Sequence, residues 1–104
     1  MSTRIVVATT EAPLAIGPYS QALKSNGLVF VSGQIALHPD TQQLVNGDIE
    51  AQTERVLRNV EAVLKSAGSN LGNVVRCVVY LTTMEHFAVM NSVYGVFFER
   101  EPPA

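Results

Sequence analysis

Hydrophobic and polar positions along this chain fall into two rhythms, a short β-branched one and a helical one, separated by turns. Residues 4–8 are a β-branched run and predict a strand. Residues 11–20, punctuated by Pro13, Gly17 and Pro18, predict a loop. Residues 21–25 and 28–32 flank Asn26-Gly27, a pair that accepts positive φ at both central positions of a two-residue turn and so predicts a hairpin. Residues 28–31 show no polar alternation, as expected of a strand covered on both faces. A turn-rich connection over 33–47 contains His38-Pro39-Asp40.

The helical rhythm begins at Asp48. Residues 48–67 predict a helix with Asp48 as N-cap, and Gly68 stands where a left-handed C-terminal cap is expected. Ile49, Val56, Val60, Val63, Leu64 and Ala67 make one apolar stripe. The opposite face carries Glu54 with Arg58 and Glu61 with Lys65, i,i+4 pairs with the acid first, each worth about 0.2–0.5 kcal/mol.

Residues 74–82 predict another strand, with Val75, Cys77, Val79 and Leu81 facing the helices. Its other face (Val74, Arg76, Val78, Tyr80) is also largely apolar, so the free side of the sheet is expected to meet another subunit. Thr83 suits the cap of a second helix over 84–100 that has almost no polar face, and helices apolar all round are buried all round. Little else in the sequence is available to cover both of its sides. The order strand, hairpin, helix, strand, helix predicts an α+β domain with two helices packed on one face of a mixed sheet.

Composition narrows this picture. The 104 residues are expected to form a single domain, 1–104, with a modest core. A hydrophobic fraction of 47% against 15% charged residues excludes disorder, and the low charge hints at an oligomer. Net charge is −2, and Arg4, Lys24, Arg55, Arg58, Lys65, Arg76 and Arg100 are dispersed, so no nucleic-acid partner is expected. No apolar run is long enough to span a membrane, and residues 1–8 do not resemble a secretory signal, so a cytoplasmic location is expected.

Candidate chemistry is sparse. Cys77, the single cysteine, allows no intrachain disulfide and reads as a small buried hydrophobe. Cys77, His38 and His86 lack the spacing of a metal site, and no metal is expected. Gly17-Pro18-Tyr19-Ser20 and Ser32-Gly33-Gln34 are turns rather than phosphate-binding fingerprints. Asn91 on the apolar second helix, with the hydroxyl-bearing Tyr19 and Tyr94, resists that bland reading, since polar groups in apolar company must be satisfied or used. A few polar groups converging on an apolar pocket are the usual form of a metabolite site.

These residues sit inside longer motifs. Ala15-Ile16-Gly17-Pro18-Tyr19-Ser20-Gln21-Ala22, Val31-Ser32-Gly33-Gln34-Ile35, Asn91-Ser92-Val93-Tyr94-Gly95-Val96-Phe97-Phe98 and Pro103-Ala104 strongly resemble, in order and spacing, the Rid family of reactive-intermediate deaminases (YjgF/YER057c/UK114), closest to its enamine/imine deaminase branch. The resemblance implies a chorismate-mutase-like (YjgF-like) α+β domain in a homotrimer, sheets inward and helices outward. Active sites then lie in clefts between subunits, where 2-imino acids are hydrolysed to 2-keto acids and ammonia without metal or cofactor. It further implies Tyr19 as a wall and hydroxyl contact, Ser32 and Gly33 as backbone and side-chain contacts, and Asn91 beside the second helix.

In the family an Arg directly after the Pro-Ala pair clamps the substrate carboxylate, and a later Glu on the final strand helps to position water. This sequence stops at Ala104, before both and before some two closing strands. Arg100 does not stand at the family's position, and no catalytic residue is assigned. The resemblance thus supports two expectations: a 2-iminobutanoate/2-iminopropanoate deaminase seen as an incomplete chain, or a catalytically impaired metabolite-binding or interaction module. A ribonuclease or translation inhibitor is a third, opposed by the acidic balance.

Overall fold

The computed structural model describes residues 3–104. Three short strands, β1 (Ile5–Val7), β2 (Ala22–Ser25) and β3 (Leu28–Val31), form an antiparallel sheet in the order β1-β2-β3. The hairpin forms as its turn residues require: Asn26 (φ 52°) and Gly27 (φ 75°) both adopt the left-handed conformation. Register places Val7 beside Ala22 and Ala22 beside Val31 on one face, and Val6 beside Leu23 and Leu23 beside Phe30 on the other.

The first face is the core. Val7, Ala12, Ala22, Val63 and Ala67 cluster there, with Val29, Val31 and Ala62 packed against them. Val63 comes from α1 (Ile49–Ser66) and Ala67 caps its C-terminal end. The Asp48 side chain accepts from the Ala51 amide at its start, and Gly68 (φ 85°) takes the left-handed position beyond its end. The buried positions of α1 are Thr53, Leu57, Asn59, Val63 and Leu64, a stripe displaced from the expected one and containing two polar residues. On the outer face Arg58 takes both acids, Glu54 at 3.9 Å and Glu61 at 3.2 Å, in place of the expected Glu61–Lys65 pair. Its guanidinium also lies 4.8 Å from the centre of the Phe97 ring and so ties α1 to α2 (Phe87–Phe97).

Two expectations change. The segment 74–81 forms no strand of the described sheet. Its main chain bonds to Ala104 alone outside its own neighbourhood: the Cys77 amide donates to the Ala104 carbonyl (2.8 Å) and the Ala104 amide to the Val75 carbonyl (3.0 Å). Two bonds flanking Arg76 in this way are the pattern of a parallel pair, the one described departure from antiparallel order. Both faces of the segment remain open: Val75 is 76% exposed and Tyr80 89%. The second helix is also shorter and more open than expected. It begins as a 3₁₀ turn, Met84–His86, capped by the Thr83 hydroxyl, and Met90 is its buried residue. Phe87, Val89 and Val96 stay exposed. No helix among the described residues is long and apolar enough to cross a membrane.

Candidate functional site

The second sheet face is largely uncovered and carries a hollow of about 630 Å³. Val6, Leu28 and Phe30 lie exposed on that face, and continued alternation brings Arg4 and Ser32 to it. The hollow is lined by Arg4, Gly17, Pro18, Tyr19, Ser20 and Ser32 at its polar margins and by Leu23 and Phe30 beneath.

Local chemistry builds its polar end. Gly17 (φ 121°) permits a tight turn closed by the Tyr19 amide on the Gly17 carbonyl at 2.9 Å. The Tyr19 hydroxyl accepts from the Ile16 amide at 3.2 Å, which folds the ring back on its own loop. Ser32 closes the sheet end: its amide donates to the Gln21 carbonyl at 3.0 Å and its hydroxyl to the Ser20 carbonyl at 2.6 Å. Arg4 is the one charged side chain on this lining. Along the sequence it is one of several dispersed cations. Its alternation with Val6 on an uncovered strand face was the available signal.

Asn91 stands elsewhere. With Val79, Leu81, Met84, Phe87, Met90 and Tyr94 it lines a second hollow of about 260 Å³ between α2 and the 74–81 segment. It is exposed, so water can satisfy its amide, and the argument that it must be satisfied internally or used does not apply within this chain. Gly33 lines neither hollow, and a Cβ added there would meet nothing within 4 Å. A single chain therefore brings Tyr19 and Ser32 to one hollow and Asn91 to another, while Gly33, next to Ser32 in the chain, lines neither.

Beside Asn91, the Tyr94 hydroxyl is pushed up to about 12, chiefly by burial and then by its hydrogen bond and charge interaction with Cys77. Its ring stacks on Phe98 with centroids 4.7 Å apart. His38 is turned inward to its own loop, its Nδ1 accepting from the Asp40 amide at 3.2 Å. Among the described residues no three His, Cys, Asp or Glu side chains are grouped to hold a metal.

A small α+β domain with an open, partly apolar hollow of metabolite size at the end of its sheet is the class that fold and site define. Residues 9–104 match the family described as Endoribonuclease L-PSP. A RutC family protein of Pyrococcus abyssi is 48% identical, covering 95% of this chain and 78% of its own. Reactive Intermediate Deaminase A of the Arabidopsis thaliana chloroplast is 42% identical over 95% of this chain and 53% of its own. The crystal structure of Escherichia coli TdcF with bound serine superimposes with a TM-score of 0.90 at 35% identity, over 95% of this chain and 80% of that one. The chain belongs to the Rid family, the RutC and L-PSP group of proteins.

Proposed function

We propose that this protein is an enamine/imine deaminase that hydrolyses small 2-imino acids, such as 2-iminobutanoate and 2-iminopropanoate, to 2-keto acids and ammonia. Family membership, the deaminase name of the Arabidopsis relative and the small amino acid bound to TdcF support a small-molecule site. The observation that carries the reading is the separation of Tyr19 and Ser32 from Asn91 on two hollows of one chain. A cleft between copies, in a cytoplasmic homotrimer of this single domain, joins the two hollows.

The chemistry needs little beyond placement. Arg4 attracts the substrate carboxylate at the outer margin of the hollow. Tyr19 offers its hydroxyl proton, and Phe30 and Leu23 form the apolar floor under the alkyl chain. Water adds to the iminium carbon, the hemiaminal collapses, and the C–N bond breaks. Iminium plus water gives ketone plus ammonium, with no change of oxidation state.

The test is the rate of 2-ketobutyrate formation from 2-iminobutanoate generated in situ, with titration of 2-ketobutyrate beside it. Acceleration over buffer with saturable binding supports the reading. Binding without turnover replaces it by a metabolite-binding module, and absence of both overturns it.

A further inference from the structure

We propose that Gln21 is a positioning residue of the Tyr19–Ser32 hollow, holding the loop that presents Tyr19 through its buried side-chain amide. The inference rests on the reading of that hollow as a ligand site. Gln21 precedes β2 and is only 4% exposed. Its Oε1 accepts from the Thr9 amide at 2.6 Å. Its Nε2 faces the carbonyls of Thr9 at 3.0 Å, Pro13 at 2.7 Å and, more weakly, Ala12 at 3.4 Å. The side chain thus supplies the polar partners of a buried turn that no strand supplies.

Its main chain faces the other way. The Gln21 carbonyl accepts from the Ser32 amide at 3.0 Å. One residue therefore bonds the Thr9–Pro13 stretch, which leads into the Gly17–Tyr19 turn, and the Ser32 wall of the hollow. A second side-chain amide extends the hold: Gln42 Oε1 accepts from the Leu14 amide at 3.1 Å, directly after Pro13. An apolar side chain of equal length at position 21 fills the space but leaves the Thr9 amide and the Thr9 and Pro13 carbonyls without partners, and the turn must open to water to recover them. The consequence falls first on residues 12–19; α1 meets the sheet through Val63 and touches this loop only at the core residue Ala12.

The experiment compares wild type, Gln21→Met and Gln21→Glu by amide hydrogen exchange, thermal unfolding and 2-ketobutyrate titration, with Tyr19→Phe made in each background. Gln21→Glu keeps the acceptor and loses the donor, and serves if Gln21→Met does not fold. Expected are exchange at the Ile16 and Tyr19 amides at least about tenfold faster with α1 unchanged, a Kd about tenfold higher, and no further effect of Tyr19→Phe in the Gln21 variants. Unchanged exchange at Ile16 and Tyr19, exchange faster everywhere, or additive effects of the two substitutions overturn the inference. If wild type does not bind 2-ketobutyrate, the deaminase reading fails, while the exchange data still decide whether Gln21 holds the loop.

Discussion

The Ser32 hydroxyl donates to the Ser20 carbonyl at 2.6 Å and closes the end of the sheet directly beside Tyr19. The bond is partly buried, and a hydrogen bond of this kind contributes about 0.5–1.5 kcal/mol to stability. Ser32→Ala is expected to lower stability by roughly that amount and to weaken 2-ketobutyrate binding more than unfolding data alone explain. Urea unfolding and calorimetric titration check the two effects. Loss of stability with unchanged affinity would make Ser32 purely structural.

Arg4 has no ion-pair partner among the described residues, so its charge is available to a ligand. Arg4→Gln is expected to raise the Kd for 2-ketobutyrate by about 10- to 100-fold, the range of a charged hydrogen bond worth about 1.5–3 kcal/mol. Wild-type affinity should fall with added salt and the variant's should not. Equal salt dependence in the two proteins would remove Arg4 from the site.

Phe30 is 59% exposed and shares its face with the exposed Val6 and Leu28, a contiguous apolar surface of the kind that marks interfaces. On the homotrimer proposed above, sedimentation should show a trimer for wild type and smaller species for Phe30→Glu. A monomeric wild type would leave the hollow without a neighbour and rule out a shared cleft.

Asn59 is fully buried in α1 and donates to the Leu37 carbonyl at 2.9 Å and the Ile35 carbonyl at 3.3 Å, while its Oδ1 accepts from Arg55 at 3.1 Å. Asn59→Leu leaves the Leu37 carbonyl unpartnered, the Ile35 carbonyl keeping its bond from the Leu37 amide, and is expected to cost about 1–3 kcal/mol in chemical denaturation. The exchange of amides around 35–37 should accelerate with it.

Tyr94 gives a pH dependence of defined sign. Its pKa is raised in the folded chain to about 12 from 10.0, so the unfolded chain loses this proton first as pH rises. The stability from burying the neutral phenol is complete below about pH 10 and is lost as pH climbs toward 12. Absorbance titration should show a late phenol step that is absent in Tyr94→Phe. Identical titration curves for wild type and Tyr94→Phe above about pH 10 would contradict the raised value.

Much of the frame was legible along the chain because its signals are local. Asn26-Gly27 specifies a turn through its own φ preferences, and Asp48 and Gly68 delimit α1 through bonds within a few residues. Asn59 was readable but passed over. It lies three residues after Val56 and four before Val63, on the helix face that the valines mark for burial. Gln21 offered no such sign, since its burial depends on the Thr9–Pro13 turn folding over it. The strand expected over 74–82 is not formed: its main chain bonds only to Ala104 outside its own neighbourhood, because hydrogen-bond partners along a strand are set by distant chain.

The sequence by itself determined the α+β order, the hairpin, the capped first helix and, through its motifs, the family. Each rests on residue type and near spacing. Only tertiary structure decided which polar residues share a surface: it joined Tyr19, Ser32 and Arg4 over Phe30, sent Asn91 to a second hollow, and left Gly33 on neither. The physical reason is that strand register and loop closure bring together residues far apart in the chain, and no local preference encodes those distances.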